Sequence, residues 1–270
     1  MDRVAALLGG SGLPAAEART LLGLVLAVGR ESLIAHPERP VDAGSAARVA
    51  ALVDRRRAGE PIAYLVGRRE FYGRSFRVAP AVLVPRPETE LLVDQVCEHL
   101  PPNSTASILD LGAGSGCLAI TLGLERAAAR VTALDRSADA LAIARDNATA
   151  LGAVIEFIES DWYAAIDPGA RFDVIVSNPP YIAIGDPHLA ALGAEPATAL
   201  VAGPDGLDAL RRVIAGSLGH LAPGGLLLVE HGADQGTAVR AFAEAAGLIA
   251  IATLPDAAGL DRACRARRKD

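Results

Sequence analysis

From Ser107 onward the chain alternates short apolar runs with longer amphipathic stretches, and this alternation limits the fold more than any other feature. Ile108 to Leu111, Val131 to Leu134, Ile155 to Ile158, Val174 to Val176 and Leu226 to Val229 have strand length, and their near-continuous apolar character fits burial on both faces of a sheet. Between them, Cys117 to Leu124, Ala138 to Ala150, Leu207 to Leu221 and Thr237 to Ala246 have helical spacing. Alternation of this kind predicts an α/β fold, a mostly parallel sheet with helices on both faces. Such sheets bind ligands at the carboxyl ends of their strands, so the residues that close each run are where chemistry is sought. With 51% of residues hydrophobic and only 4% aromatic, the core falls to Ala, Leu, Val and Ile.

The chain before this region reads differently. Leu21, Leu22, Val25 and Leu26 follow Pro14 at helical spacing, and a second helix is expected from about Ser45 to Arg57, with Pro37 and Pro40 breaking the pattern between them. With no strand pattern before residue 60, residues 1–68 are expected to form a small helical domain. Phe71, Tyr72, Phe76 and Val78 around Gly73, followed by Pro80, Pro85 and Pro87, make 69–87 a β-hairpin and linker. A helix from Glu88 to His99 then opens a domain covering 88–270.

Charge and cysteine usage narrow the function classes. A net charge of −6 and a pI of about 5.4 weigh against a protein that grips nucleic acid by neutralising phosphates. The basic stretch Arg262 to Lys269 reads as a solvated tail, the alternative being a final strand that carries Arg262 and Arg265. Cys97, Cys117 and Cys264 are far apart and form no C-x-x-C pair, which argues against a disulfide framework or a zinc site and suits a reducing cytoplasm. Cys117, at the start of an apolar helix, reads as a small core residue rather than a nucleophile. Leu21 to Val28 is too short for a membrane span and is flanked by Arg19 and Arg30. A soluble protein is expected.

Three successive strand ends carry a nucleotide-site pattern. The first runs Asp110-Leu111-Gly112-Ala113-Gly114-Ser115-Gly116, where glycines let the backbone turn tightly and approach a ligand. The G-x-G-x-G spacing differs from the G-x-G-x-x-G of dinucleotide loops, although a bare strand-to-helix turn would use similar glycines. Asp135 ends the second strand, where a carboxylate accepts the hydroxyls of a ribose; a helix-capping aspartate is the structural alternative, but Ser137 serves as cap equally well. Ser160-Asp161-Trp162 ends the third, offering a carboxylate for an adenine amino group and a ring to cover the base. Together these predict an adenosyl ligand.

The fourth strand ends in Ser177-Asn178-Pro179-Pro180-Tyr181. Two prolines hold a stiff turn and cannot donate backbone hydrogen bonds. The Asn178 side-chain oxygen and the Pro179 carbonyl are then expected to accept from one planar NH2 group, favouring the charge that develops as that nitrogen attacks a sulfonium methyl group. Tyr181 is expected to stack on the flat face of the substrate. A rigid turn that merely closes a strand is the bland alternative, and a nicotinamide oxidoreductase gives Asn178 and the prolines no role.

Asn-Pro-Pro-Tyr after such a glycine loop is shared by enzymes that methylate adenine, guanine or glutamine nitrogen. Gly59-Glu60-Pro61-Ile62-Ala63-Tyr64-Leu65, Arg69-Glu70-Phe71-Tyr72-Gly73, Pro85-Arg86-Pro87-Glu88-Thr89-Glu90, Glu195-Pro196, Ala199-Leu200-Val201-Ala202, Gly206-Leu207 and Glu230-His231-Gly232 then resemble the bacterial peptide chain release factor glutamine methyltransferase family, over nearly the whole chain. The resemblance implies a Rossmann-like class I methyltransferase sheet of seven strands and S-adenosyl-L-methionine as cofactor, with S-adenosyl-L-homocysteine as product. It implies N5-methylation of the glutamine in the Gly-Gly-Gln loop of class 1 release factors by a cytoplasmic monomer without direct nucleic-acid contact, the N-terminal helices docking the substrate. Gly112, Ala113, Gly114, Ser115, Gly116, Asp135, Asp161, Trp162 and Asn178 would bind the cofactor, and Asn178, Pro179, Pro180 and Tyr181 would hold the glutamine. The chain departs from the pattern between Leu189 and Glu195, where it is about two residues short, and at Ala194, where an aromatic is usual; the role of that loop as a substrate wall is therefore in question.

Overall fold

A computed structural model describes residues 2–270, and contacts divide the chain into two compact units, Met1–Arg68 and Arg69–Asp270. The first unit contains β1 (Asp2–Arg3), α1 (Val4–Gly10), α2 (Ala15–Leu26), α3 (Arg30–Ala35), β2 (Pro40–Val41), α4 (Ala43–Arg57) and α5 (Ile62–Val66). Its core gathers Val4, Leu21, Leu22, Leu33, Val49 and Val53. Asp42 starts α4 by accepting the Ser45 N–H at 2.9 Å, a helix cap that fixes the boundary two residues ahead of the expected one. The expectation of no strand before residue 60 is corrected by the antiparallel pair β1–β2, which joins Asp2 to Val41 and Arg3 to Pro40. A ladder of two residues is too short to imprint an alternating pattern.

The second unit begins with a hairpin, β3 (Arg68–Phe71) and β4 (Arg74–Arg77). Tyr72 and Gly73 lie at φ 50° and 70°, as the tight turn of a twisted hairpin requires. Phe71 and Phe76 meet edge to face at 6.1 Å and are fully buried in the core of this unit. Pro87–Thr89 forms a 3₁₀ turn, so α6 (Glu90–His99) starts later than expected. There follow β5 (Ser107–Leu111), α7 (Cys117–Glu125), β6 (Arg130–Asp135), α8 (Ala138–Leu151), β7 (Glu156–Glu159), β8 (Phe172–Ser177), α9 (Asp208–His220), β9 (Leu221–Glu230), α10 (Gly236–Ala245), β10 (Ile249–Pro255) and β11 (Asp261–Arg267).

The sheet has seven strands in the order β10-β11-β9-β8-β5-β6-β7. Strands β9, β8, β5, β6 and β7 are parallel, and β11 is antiparallel to both β9 and β10. Alternate residues choose the faces: Leu109, Leu111, Ile175 and Leu227 pack with Leu210, Val213 and Val239, whereas Ile108, Val174 and Leu226 pack with Val93, Val96, Leu118 and Leu122. Successive connections leave β5 and β8 toward opposite edges, so a crevice opens above their carboxyl ends.

The basic stretch at the end is not a solvated tail. Ala263, Cys264 and Ala266 are buried in β11, and the half-buried arginines beside them are engaged, Arg262 by Asp256 at 3.1 Å and Arg265 by Gln95 at 3.4 Å. Long arginine stems carry charge out of a buried strand, so a charge-rich sequence conceals three core positions.

Candidate active site

The glycine loop after β5 is built by backbone bonds that only glycine permits. Gly112, Gly114 and Gly116 sit at φ 82°, 53° and 79°, and the N–H groups of Gly112 and Ala113 both donate to the Leu134 carbonyl at 2.8 Å. Asp135, at the end of β6, accepts from Gly114 N–H at 2.8 Å and from Ser137 N–H at 2.9 Å. Asn147, buried in α8, donates to the Ser115 carbonyl at 2.9 Å and to the Arg77 carbonyl at 3.0 Å, tying the loop to the hairpin.

These elements enclose a cleft of about 480 Å³, a volume typical of small-molecule sites. Gly112, Ala113, Gly114, Ser115, Asp135, Asp161, Trp162 and Asn178 line it, and so does Pro180. Gly116, Pro179 and Tyr181 do not. Gly116 has another duty: a Cβ there would lie 2.8 Å from Ile120 Cδ1 and 3.1 Å from Ala144 Cβ, so its absence lets α7 pack on α8. Gly116→Val is therefore expected to lower stability by roughly 2–4 kcal/mol, combining overpacking with a strained left-handed backbone. Gly152→Asn, at φ 72° with open space around the Cβ position, should cost far less. Urea melts that move by equal amounts would contradict the packing argument.

Trp162 adopts φ 52°, held by the Ser160 hydroxyl, which donates to the Trp162 carbonyl at 2.7 Å and accepts from Ala165 N–H at 3.0 Å. Asp161 stands at the cleft rim with one oxygen 2.7 Å from Arg212 Nη2. Asp110 is buried beneath the loop; it accepts only the Ala119 N–H, at 3.2 Å, and burial pushes its carboxyl up to about 7. Burial likewise raises Asp135, against the pull of the Gly114 and Ser137 N–H groups. Cys117, expected as a core residue, instead lies half-buried at the core's edge where it lines the cleft, with its thiol pushed up to about 12 by burial.

The residues present fit an adenosyl group. The loop offers backbone without side chains, Asp135 keeps lone pairs for a ribose, and the buried Ser115 hydroxyl on the cleft wall meets only the Cys117 thiol among the described residues.

The tetrapeptide is held from behind. Asn178 Nδ2 donates to the Thr89 hydroxyl at 2.9 Å, Thr89 donates to Glu230 Oε2 at 2.6 Å, and the Tyr181 hydroxyl donates to Glu230 Oε1 at 3.1 Å. Thr89 and Glu230 are buried. Burial pushes the Glu230 carboxyl up to about 7, against the lowering effect of the bonds from Thr89 and Tyr181. Asn178 Oδ1 carries no bond from the chain, and among the described residues no donor reaches the Pro179 carbonyl. Both oxygens named by the sequence are thus unengaged. Tyr181 is half-buried against the helix α9 and α10 side of the sheet, with its carbonyl held by Gln235 Nε2 at 2.9 Å. The segment after the tetrapeptide is anchored by Glu195, which accepts from Val84 N–H at 2.9 Å and from Arg86 Nη2 at 2.5 Å. Pro196 to Ala199 then wall the cleft, while Ala194 is exposed.

Thr89, Asn147, Glu195 and Glu230 carry no role in the sequence reading. Thr89, Glu195 and Glu230 lie in motifs that signal the family, but only the fold brings Thr89 and Glu230 to Asn178 and sets Glu195 against Val84 and Arg86.

Comparison with solved structures finds the same fold in a T. thermophilus 16S rRNA N2 methyltransferase in complex with AdoMet and guanosine, with a TM-score of 0.58, 22% identity, and 75% of this chain and 50% of that one covered. Sheet order, glycine loop and switch-point cleft match the fold of that enzyme, and with the family match and relatives that follow they define a class I S-adenosylmethionine-dependent methyltransferase. Residues 88–193 match the methyltransferase small domain and residues 2–67 the PrmC N-terminal domain, and the chain is 49% identical to the release factor glutamine methyltransferase of Burkholderia pseudomallei, over 97% of this chain and 95% of that one, and 48% identical to that of Xylella fastidiosa, over 91% and 90%. The chain belongs to the release factor glutamine methyltransferase family.

Proposed function

We propose that the chain transfers a methyl group from S-adenosyl-L-methionine to N5 of the glutamine side chain in the Gly-Gly-Gln motif of class 1 peptide chain release factors. The observation that carries this reading is the pair of unengaged acceptors, Asn178 Oδ1 and the Pro179 carbonyl, on a turn at the rim of the glycine-loop cleft. Family membership supports the choice of glutamine over a nucleobase.

Gly112, Ala113, Gly114, Ser115, Asp135, Asp161, Trp162 and Asn178 would hold the cofactor, with Gly116 shaping the turn. The bound cofactor supplies an electrophilic methyl group on a sulfonium centre. Asn178 and Pro179 accept the two N–H bonds of the amide, align its nitrogen and favour the positive charge that grows there. No base is needed first, because the amide nitrogen becomes strongly acidic only once alkylated. Pro180 keeps the turn stiff, and the Tyr181 hydroxyl, tied to Glu230, fixes its far end. The helical unit, residues 1–68, docks the release factor. The reading carries with it a monomeric cytoplasmic enzyme with no direct nucleic-acid contact; no helix among the described residues is long and apolar enough to cross a membrane.

Purified protein with methyl-labelled S-adenosylmethionine is expected to label a class 1 release factor, and to lose that label when the motif glutamine is replaced by alanine. Label on tRNA, rRNA or DNA with none on the release factor would overturn the assignment.

A further inference from the structure

Asn178 serves as an acceptor only when its oxygen, and not its nitrogen, faces the substrate. The two ends of a carboxamide have nearly the same shape, so packing alone does not choose between them. A hydrogen-bond partner of fixed polarity can. Hydroxyls such as that of Thr89 donate or accept with equal ease, and by themselves impose no polarity. Glu230 does, since an ionised carboxylate only accepts.

We propose that Thr89 and Glu230 are positioning residues that set which end of the Asn178 amide faces the cleft. This deepens the reading given above and rests on it. Glu230 Oε2 takes the Thr89 hydroxyl proton at 2.6 Å, which leaves the Thr89 oxygen to accept from Asn178 Nδ2 at 2.9 Å and turns Asn178 Oδ1 to the substrate side. The other carboxylate oxygen is taken by Tyr181 at 3.1 Å, so one buried acid fixes both ends of the tetrapeptide. Glu230 is 1% exposed and Thr89, though it lines the cleft, is 3% exposed, so the Thr89–Glu230 bond is shielded from bulk water. The three bonds join the turn before α6, the end of β8 and the end of β9, so the polarity is set by the fold and not by neighbours in sequence. Were the Thr89 hydroxyl reversed, the Asn178 NH2 would meet the NH2 of the substrate, donor against donor.

The test compares Thr89→Val, Thr89→Ala, Thr89→Ser, Asn178→Ala and the Thr89→Val/Asn178→Ala double variant. Turnover and KM are measured with a release factor, cofactor affinity by calorimetry. Thr89→Val keeps the shape and removes the hydroxyl; it should lower kcat roughly 10- to 100-fold with cofactor affinity retained. Thr89→Ala, which adds no bulk, carries the same expectation where valine is not accommodated, and Thr89→Ser should restore turnover. In the double variant, loss of the hydroxyl should cost nothing beyond Asn178→Ala, because the two act as one unit. Wild-type kcat in both Thr89→Val and Thr89→Ala with an inactive Asn178→Ala would overturn the relay and leave the acceptor reading standing. A double variant slower than Asn178→Ala by the full Thr89→Val factor would also overturn it, since a merely structural threonine acts independently. Normal turnover of Asn178→Ala would remove the acceptor reading itself, and the relay with it.

Discussion

Replacing Asn178 with alanine is expected to cut kcat for release factor methylation about 10²- to 10³-fold, equivalent to roughly 3–4 kcal/mol of lost transition-state stabilisation. The size follows from what the oxygen does. An amide nitrogen is a weak nucleophile because its lone pair is delocalised, and an acceptor on its N–H bond strengthens as charge gathers on nitrogen. That interaction is worth more in the transition state than in the ground state, so its loss appears in kcat more than in KM. Cofactor affinity should be largely kept, because the loop is held by Leu134, Asp135 and Asn147, none of which depends on the Asn178 side chain. Single-turnover kinetics with saturating release factor separates these terms. Asn178 is one of the residues assigned to the cofactor, so a modest loss of cofactor affinity is compatible with its acceptor role, whereas a loss lying wholly in cofactor affinity, with kcat unchanged, would remove it from the chemistry.

Much of the frame behind this site is legible in the sequence. The five apolar runs fall on the five parallel strands because strands buried on both faces need nearly continuous apolar residues. Glycine spacing, Asp135 and Trp162 locate the cleft because backbone conformation and strand ends depend on local sequence. What fails is whatever depends on partners far along the chain. Strand β11 reads as charged because Asp261, Arg262, Arg265 and Arg267 surround its buried Ala263, Cys264 and Ala266, and only pairing with β9 and β10 reveals those as core. The Tyr181 hydroxyl draws no attention in the sequence to the acid that binds it; Glu230 lies 49 positions away. Thr89 is a commonplace hydroxyl until the fold sets it 2.6 Å from that same acid. The shortened loop before Glu195 is also clearer in three dimensions: the Glu195 bonds to Val84 and Arg86 keep it in place without an aromatic at 194.

Stability of the cofactor-free protein is expected to fall as pH rises from 4.5 to about 7, in opposition to activity. Glu230 moves from an ordinary 4.5 up to about 7 in the folded state, and Asp110 from 3.8 up to about 7. Between the two values the folded chain holds protons that the unfolded chain has released, so each group subtracts about 1.4 kcal/mol of stability for every pH unit crossed. Ionising Glu230 therefore costs on the order of 3 kcal/mol by the time pH exceeds its folded value. His231 and His99 are shifted downward by burial and act with the opposite sign below 6.5, which makes the comparison with a Glu230→Gln variant the decisive one. Relative to that variant, the wild type should lose stability across the window in urea melts, and parallel curves would refute the buried ionisation. Turnover should climb around the folded value of about 7, at the upper end of that window, because only the ionised acid forces the Thr89 hydroxyl to donate. The groups facing Glu230 set the position of that limb: Thr89, Tyr181 and Arg262 favour ionisation, while Glu88 and burial oppose it. Arg262 is itself engaged by Asp256 at 3.1 Å, so it compensates Glu230 only in part. An acid that served the fold alone would be better neutral or paired; one that must aim Asn178 has to be charged and dry, and a stability cost at working pH is the consequence.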